Sequence, residues 1–392
     1  MTDERAKVAV GVTFATNGLA FGGWLARAPA IRDDLSLSPA GFGLLLLCLS
    51  GAAVAAIPLA GPLVQRFGPA RSVLLGSMSV VLGLVGLGIG AAAGVVAVAG
   101  VGLVLIGMGN STWDVAMNVE GADVERRLGR TLMPRFHAGF SLGTVAGAGV
   151  SAAAAATGVS VTTQVFATAA LTAVIMVRTV RRFLPVSASH VAQGPRGRVR
   201  DAWREPRTLL IGVIMLGFGF TEGAANDWLA IGLVDGYHAT EAVGAIGFGF
   251  FVTAMTLGRL VGGTAIERWG RVVTLRLTAA SALAGLLLVV SGIGVPAVLA
   301  GALLWGAGAS LGFPIGMSAA ADDPLQAAIR VSVAGSIGYG AFLAGPPLIG
   351  LLAQHFGVLR ALCVVVAAIG LGLLGSGAAR PLEPVTAPGS RR

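Results

Sequence analysis

The sequence predicts an all-α polytopic membrane protein whose twelve transmembrane helices form two pseudo-symmetric six-helix bundles. Three observations predict this class: a very apolar composition, apolar runs long enough to cross a bilayer, and a repeat that relates the two halves of the chain. Of the 392 residues, 55% are hydrophobic and only 11% are charged. Soluble domains are about a quarter charged, so we expect the whole chain to serve a membrane fold.

Twelve apolar runs satisfy the length rule for a membrane span. A helix needs about 20 apolar residues to cross about 30 Å of hydrocarbon. Because backbone polar groups in lipid must be satisfied within each segment, the runs are predicted to be helices. They cover residues 7–29, 40–65, 70–91, 95–119, 134–157, 160–181, 207–233, 239–265, 271–292, 296–319, 330–354 and 357–379.

The basic residues predict the orientation of these spans. Of the 27 basic residues, only Arg27, Arg32 and Arg360 fall on one side, Arg259 falls within a span, and the remaining 23 fall on the other side. Short loops rich in Arg and Lys stay in the cytoplasm. We therefore expect a multi-pass protein of the cytoplasmic membrane with both termini inside. This topology explains the net charge of +9 better than nucleic-acid binding does.

One long connection divides the chain. Residues 183–206 contain three Pro and scattered Arg, which is typical of a flexible cytoplasmic linker. We expect an N-terminal six-helix bundle over 1–182 and a C-terminal bundle over 207–380. The Pro-containing tail, 381–392, is predicted to be disordered.

The two halves resemble each other in sequence. Three pairs of similar segments occur in the same order: 61–68 with 263–270, 135–143 with 330–338, and Trp24 with Trp228. Their separations of 202, 195 and 204 residues are nearly equal. Duplication of a six-helix unit explains this regularity, and such repeats let carriers rock around a central site.

The first of these pairs resembles the signature loop of the major facilitator superfamily, Gly-x-x-x-[Asp/Glu]-Arg-x-Gly-[Arg]. The resemblance assigns a gating role to Gly61, Arg66, Gly68, Arg71, Gly263, Glu267, Arg268, Gly270 and Arg271. Loop charges can lock against a neighbouring helix end in one conformation and release it in another. Because Gln65 replaces the acid in the first copy, we expect a weaker lock there. A plain positive-inside loop is the alternative for Arg66 and Arg71.

A narrower resemblance involves the fourth and fifth spans. Asp114-Val-Ala-Met-Asn118 is similar to the fourth helix of the fucose/galactose–proton symporter group, and Arg135-Phe-His137 looks like the start of its fifth helix. The chain also resembles a less characterised bacterial inner-membrane branch in its first and seventh spans. It departs from the sugar symporters because its first span carries Asn17 in place of an acid.

Three residues are candidates for proton coupling: Asp114, His137 and Glu222. Intramembrane acids are costly unless they face a cavity or a partner. Asp114 and Asn118 are four residues apart on one helix face, and His137 begins the next span from the same side. We expect Asp114, Asn118 and His137 to form a proton or substrate relay. The alternatives are a structural ion pair for Asp114 and a headgroup-boundary position for His137.

The candidates for substrate binding are amide, indole and acidic residues within spans. They are Asn17, Trp24, Trp113, Asn118, Asn226 and Asp227, with Gln164 and Trp305 as further cavity residues. Such groups suit polar neutral ligands, sugars among them. The alternative for each Trp is an interfacial belt, and Asp227 would then lie near the outer interface with Trp228 as its anchor. Arg259 is expected to snorkel or to pair near the cytoplasmic gate.

No enzyme signature is present in the sequence. The four His residues are not at metal-ligand spacing, and the Gly-x-Gly strings lie inside spans, where they serve helix packing. Cys48 and Cys363 are far apart in apolar runs, so no disulfide is expected. We predict no cofactor, no metal and no catalytic residue.

These observations predict a monomeric secondary transporter that works by alternating access. Its partners would be a small-molecule substrate, protons and the lipid bilayer. Proton-coupled symport of a small polar solute such as a sugar is the first choice. Proton-driven efflux of an amphipathic compound is the alternative, and a membrane receptor or assembly protein without transport is a third class.

Overall fold

The computed structural model describes residues 3–128, 132–184, 199–323 and 326–382, and these residues form helices joined by short turns. The α-helices in chain order are α1 (Asp3–Leu25), α2 (Ala28–Asp34), α3 (Pro39–Ala93), α4 (Val96–Leu128), α5 (Met133–Ala156), α6 (Val161–Thr179), α7 (Val199–Ala202), α8 (Pro206–Tyr237), α9 (Glu241–Val290), α10 (Val295–Ala309), α11 (Gly312–Ala320), α12 (Ala327–Phe356), α13 (Val358–Ala361) and α14 (Cys363–Gly375).

Twelve crossings follow from the lengths of these helices. In the described part of the chain, eleven helical segments are long and apolar enough to span a membrane. One of them, Glu241–Val290, has 50 residues and bends at Gly270, so it crosses twice. The all-helical, twelve-span architecture predicted from the sequence is confirmed.

The repeat seen in the sequence is also present in the backbone. Gly68 within α3 has φ 79° and ψ 162°, and Gly270 within α9 has φ 75° and ψ 164°. Left-handed φ values favour glycine, and here they reverse the chain between two antiparallel limbs of one helix. The N-caps of the same helices, Ser38 and Thr240, are also 202 residues apart, and each accepts a backbone N–H in the first turn.

Small residues let helices within a half approach closely. An ideal Cβ at Gly18 of α1 would lie 1.9 Å from the Phe140 carbonyl oxygen of α5, and one at Gly143 of α5 would lie 2.0 Å from the Ala15 carbonyl oxygen. Glycines at such crossings are common between membrane helices because they bring backbones into contact. The α1–α5 pair is therefore closely packed within the first half.

Some predicted boundaries were wrong. The first span was expected to reach residue 29, but α1 ends at Leu25 and a separate short helix, α2, begins at Ala28 with Pro29 in its first turn. Pro is favoured in a first turn because the N–H it lacks would be unbonded there. Helix α7 lies within the predicted linker and buries Ala202 against Ile329 and Val333. Residues 185–198 of that linker, and 383–392 of the predicted tail, lie outside the described residues.

The bundle has two chemically different ends. At the ion-pair end, Arg27 contacts Glu241 at 3.2 Å and Arg32 contacts Asp235, so both pairs join the first half to the second. We call the opposite end, where Gly68 and Gly270 turn the chain, the loop end. The halves also meet near the ion-pair end through α3 and α12. In addition, the ring of Trp228 on α8 packs edge-on against Phe42 on α3.

Candidate functional site: a charged cleft between the halves

An acid and a base from adjacent helices form an ion pair in the second half. Glu222 of α8 accepts two hydrogen bonds from Nη2 of Arg259 on α9, at 3.2 and 3.0 Å. Both side chains are partly buried. The sequence predicted that Arg259 would snorkel or pair near a gate, and it does pair. Its partner is Glu222, one of the predicted proton-coupling residues.

A helix break supplies the second partner of Arg259. Its Nε donates to the Ser310 carbonyl oxygen at 3.3 Å. Ser310 lies at the turn between α10 and α11, four residues before Pro314. Pro has no N–H, so the Ser310 carbonyl lacks the donor that a continuous helix would provide. The broken turn thus leaves an acceptor that holds the guanidinium in place.

Arg259 lines a cavity between the two halves. This cavity has a volume of about 500 Å³ and lies between α5 of the first half and α9 and α11 of the second. The polar residues on its wall are His137, Ser141, Thr256 and Arg259. Most of the other lining side chains are apolar, which is the usual composition of a small-molecule site.

His137 lies in this cavity and not in the relay predicted with Asp114. Its ring packs edge-on against Phe14 at 5.1 Å, and it lies within electrostatic range of Arg259. No hydrogen bond joins His137 to Asp114 among the described residues. The structure therefore brings His137 together with Arg259, a pairing that the sequence did not indicate because the two residues belong to different halves.

Asp114 and Asn118 share a helix face as predicted. Asn118 Nδ2 donates to the Asp114 carbonyl oxygen at 2.8 Å and to its Oδ1 at 3.2 Å. The Asp114 side chain is exposed and is not ion-paired within the described part of the chain. The predicted alternative, a structural ion pair with a basic residue, is not formed there.

Tyr339 interacts with two of the predicted acids and was not predicted as a site residue from the sequence. It belongs to α12 and lies within electrostatic range of both Asp114 and Glu222, which come from opposite halves. Its ring packs edge-on against Phe313 at 5.4 Å. The only available signal was that it is one of two Tyr residues in the chain and lies inside a span.

Asn226 and Asp227 follow Glu222 along α8. Both are half-buried, and neither side chain hydrogen-bonds to any of the described residues. The alternative that placed Trp228 as an interfacial anchor was wrong, because its side chain is fully buried and packs against Phe42 of the other half. Asp227 thus lies beside a contact between the two halves.

Asn17 and Trp24 lie seven residues apart on one face of α1. Each is 2% exposed. Both side-chain polar atoms of Asn17 and the indole nitrogen of Trp24 have no hydrogen-bond partner within the described structure. Buried polar groups are usually satisfied, so this stripe offers hydrogen-bonding capacity that the protein itself leaves unused.

The other two predicted cavity tryptophans are fully buried in helix packing. Trp113 of α4 has its backbone against Gly76 of α3, and Trp305 of α10 has its backbone against Gly285 of α9. In each half, the helix that carries the tryptophan thus packs tightly against a glycine of the helix before it. In this conformation both indole rings serve the core.

The two signature loops differ in their contacts. Arg271 donates to Asp322 and to Ser318, at 2.7 and 2.8 Å, so it ties the second loop to the end of α11. In the first half Arg71 is exposed and has no ion-pair partner among described residues. The contact of the second loop is made by Arg271 and not by Glu267, so the weaker first-half lock expected from Gln65 stays a prediction.

The remaining loop residues are exposed or locally packed. Arg66 stacks over its neighbour Phe67 and Arg268 over its neighbour Trp269, at 5.5 and 6.0 Å from the ring centres. Glu267 is exposed at the surface. Gly61 and Gly263 have no heavy atom within 4 Å of an ideal Cβ, so close packing does not explain these glycines.

Gln164, expected in the cavity, instead stabilises the ion-pair end. Its Nε2 donates to Ser151 Oγ at 2.6 Å and to the Gly23 carbonyl oxygen at 2.9 Å, and its Oε1 accepts from Arg27 at 3.3 Å. This buried network holds Arg27 in position to contact Glu241. The sequence reasoning missed it because its members come from three separate helices.

Comparisons with known proteins identify the family. The model of the Major Facilitator Superfamily matches residues 10–324. The chain is 33% identical over 347 residues to the uncharacterized transporter y4wD of Sinorhizobium fredii. This match covers 88% of this chain and 90% of that protein. It is 30% identical over 369 residues to the MFS-type transporter YPO1221/y2967 of Yersinia pestis, with 92% and 94% covered. Membrane protein MosC of Rhizobium meliloti is 28% identical over 367 residues, with 92% and 86% covered.

Solved structures share the same fold. A D323A mutant of the nucleoside transporter NupG superposes with a TM-score of 0.80 at 14% identity, covering 95% of this chain and 98% of that one. A bacterial homologue of the lysosomal transporter Spinster, in an inward-facing and unoccupied conformation, gives 0.71 at 14% identity, covering 98% and 99%. The twelve crossings, the repeated glycine bends and these relatives lead to one conclusion: this chain belongs to the major facilitator superfamily and is a membrane transporter.

Proposed function

We propose that the chain takes up a small polar solute together with protons by alternating access. One observation carries the proposal: Glu222 pairs with Arg259 on the wall of a cavity between the halves. A transporter gains little stability from a partly buried acid–base pair, since apolar residues of similar size are often as stable. A titratable pair beside the solute path can instead couple proton binding to solute binding.

The coupling step follows from the geometry of this pair. Protonation of Glu222 removes its negative charge, so the two hydrogen bonds from Arg259 lose their charge assistance. Arg259 then presents a less compensated positive charge to the cavity. Proton binding on Glu222 and solute binding near Arg259 would thereby favour each other, as linkage requires.

Asp114 is the second carboxylate in the proposal. It lies in the first half, with Asn118 as its partner, and Tyr339 is within electrostatic range of both Asp114 and Glu222. Carboxylates on both halves would let the halves respond together to protonation. Asp227 and Asn226 lie further along α8 and would contact the solute when the ion-pair end opens.

The distribution of basic residues supports the proposed orientation, with the loop end in the cytoplasm and both termini inside. The cavity is lined by the first turns of α5 and the part of α9 near Gly270, so it lies toward the loop end. The ion-pair end is held by Arg27–Glu241 and Arg32–Asp235. In the proposed orientation this is an inward-facing conformation with its outer side closed.

Efflux of an amphipathic compound remains the second candidate, and one observation favours it. Apolar side chains, including Phe140, Leu260 and Leu311, form much of the cavity wall. Such a wall suits an apolar solute body. The direction of coupling distinguishes the two functions, because symport moves proton and solute the same way and proton-driven efflux moves them in opposite ways.

The test uses purified protein in liposomes loaded with the pH dye pyranine. Neutral sugars, sugar acids and aromatic acids are added outside, with the outside acidic, alkaline or equal to the lumen. Symport predicts solute accumulation with an acidic exterior and solute-dependent acidification of the lumen. Accumulation that instead requires an acidic lumen would favour efflux, and accumulation independent of the gradient would exclude proton coupling.

Variants then test the residues. We expect Glu222→Gln and Asp114→Asn to abolish solute-dependent proton movement while solute exchange at equal pH continues. Asp201→Asn is the matched control, because it removes an exposed carboxylate of α7 outside the cavity. Proton coupling at the wild-type level in both cavity variants would show that the site assignment is wrong.

A further inference from the structure

The cavity between α5 and α9 carries positive charge on its wall. Of the residues that line it, only His137 and Arg259 can carry a charge, and neither is acidic. Glu222, the partner of Arg259, does not border the cavity. The guanidinium is thus exposed on one side to the cavity and held from the other side by its carboxylate.

Three hydrogen-bond donors on this wall are unused. Arg259 employs Nε and Nη2 on Ser310 and Glu222, and its Nη1 has no partner among the described residues. Ser141 is 5% exposed and lines the cavity, and its hydroxyl makes no hydrogen bond within the described structure. His137, one turn before Ser141 on α5, likewise has a ring without a hydrogen-bond partner there.

We infer that the transported solute carries an anionic group, a carboxylate or a group of similar chemistry, which binds Arg259 and Ser141 in this cavity. The inference rests on the proposed function and narrows its polar solute to an organic acid anion. Arg presents a planar fork of donors that suits carboxylates, and a hydroxyl donor beside it adds a second contact. Cationic solutes would face Arg259 with no acid on the cavity wall to offset it.

The apolar wall accommodates the rest of such a solute. Phe140, Leu260 and Leu311 line the same cavity as Arg259, so a solute with one anionic group and an apolar body would satisfy both surfaces. A volume of about 500 Å³ is ample for an aromatic or branched acid. A neutral sugar, with hydroxyls on all sides, would leave many of its groups against apolar side chains.

Charge balance links binding of the solute anion at Arg259 to protonation of Glu222. The titratable groups around the pair are His137 on α5, which interacts with Arg259, and Tyr339 on α12, which interacts with Glu222 and also with Asp114 of α4. With Glu222 ionised, Arg259 is already neutralised. Protonation of Glu222 releases that charge for the solute anion, so one proton and one monovalent anion would enter together without net charge.

The test measures the electrostatic preference of the cavity with thiol reagents. Cys48 and Cys363 are replaced by Ala, and Ala138→Cys places a single thiol on the cavity wall while Ser141 stays intact. Rates with sulfonatoethyl methanethiosulfonate, an anion, and trimethylammonioethyl methanethiosulfonate, a cation, are each divided by the rate with free 2-mercaptoethanol. We expect the anion-to-cation ratio to exceed one by about tenfold, since clefts of one charge concentrate counter-ions by at least that factor.

Charge variants assign the preference to named residues. Glu222→Gln should raise the ratio further because Arg259 loses its counter-charge. The double variant Glu222→Gln with Arg259→Gln removes both charges together, so neither is left buried alone, and should return the ratio to within about twofold of one. Arg182→Gln, which removes an exposed charge after α6, is the control and should leave the ratio unchanged.

Matched ligands test the same inference by protection of the thiol that Ala138→Cys introduces. Indole-3-acetate, indole-3-acetamide and tryptamine share one ring system and differ in charge. The acetate should protect this thiol at a concentration at least tenfold lower than the amide or the amine.

Three results would overturn the inference. The first is a reagent ratio of one or below, and the second is a ratio above one that survives in the double variant. The third is protection by the amide or the amine that equals protection by the acetate. If these results were found together with proton-coupled uptake of neutral solutes, the inference would fail and the proposed function would stand. If the cavity selected anions but transport were not coupled to protons, the proposed function alone would be contradicted.

Discussion

Arg32 of the first half donates through both terminal nitrogens to the Asp235 carboxylate of the second half, with Nη2 to Oδ1 at 2.8 Å. A second pair, Arg27 with Glu241, lies at the same end of the bundle. A bidentate Arg–carboxylate contact fixes orientation as well as distance. Opening this end must break both pairs, so their strength contributes to the balance between conformations.

The first prediction concerns that balance. Asp235→Asn with Glu241→Gln should shift the population toward conformations open at the ion-pair end, by about 5- to 30-fold for about 1 to 2 kcal/mol lost. Spin labels at Val95→Cys and Ile293→Cys report it, because both positions are exposed in turns of opposite halves at that end. Their distance distribution, measured by pulsed electron paramagnetic resonance, should gain a longer component.

Asp33→Asn is the matched control for this experiment. Asp33 contacts Arg32 within the same half, so its loss removes a carboxylate without breaking a link between halves. The same distance change in this control would show that local charge, and not the link between halves, sets the balance.

The second prediction concerns the buried network at Gln164. Gln164→Leu should lower the free energy of unfolding by about 1 to 3 kcal/mol, because Ser151 and the Gly23 carbonyl oxygen each lose a bond within the protein. The thermal midpoint in detergent measures it. Thr172→Val serves as the control, since the Thr172 hydroxyl is buried without a partner in the described structure and its removal should cost nothing.

The third prediction compares two glycines of α5. Gly143→Ala would place a Cβ 2.0 Å from the Ala15 carbonyl oxygen, a backbone atom that cannot move alone, and should cost about 1 to 3 kcal/mol or prevent folding. Gly149→Ala meets nothing within 4 Å and should be neutral or stabilise the helix by up to about 1 kcal/mol. Yield of monodisperse protein and the thermal midpoint should separate the two, and equal behaviour would contradict the α1–α5 packing.

The fourth prediction is a pH dependence of stability at the loop end. Hydrogen bonds from Arg330 to Glu205, at 2.7 and 3.1 Å, hold the pKa of Glu205 below its ordinary value of 4.5. A lowered pKa in the folded state stabilises the protein above the unfolded value and loses that effect as the pH falls through the folded value. Glu205→Gln should therefore lower the thermal midpoint at pH 7, and the difference from wild type should shrink below pH 4.5.

Asp201→Asn is the control for the pH experiment, since Asp201 is an exposed carboxylate nearby in sequence. A difference between Glu205→Gln and wild type that stays constant as the pH falls from neutral to well below 4.5 would show that the Glu205–Arg330 pair is not its source.

Much of the site was visible in the sequence as individual residues. Asp114 and Glu222 stood out because acids inside apolar runs are costly, and Asn118 could be paired with Asp114 because residues four apart share a helix face. The partners of Glu222 and His137 could not be read in this way. Arg259 is 37 residues from Glu222 and 122 from His137, and no periodicity connects such distances.

The sequence by itself determined the class, the number of crossings and the two-fold repeat, because the length of an apolar run, the need to satisfy the backbone in lipid and the glycine bends at Gly68 and Gly270 are local properties. Only the tertiary structure decided that Arg259 binds Glu222 beside a cavity and that Arg32 binds Asp235 across the halves. These contacts depend on how helices that are distant in the chain pack together. That packing depends on contacts throughout the bundle, so it cannot be predicted from any single segment.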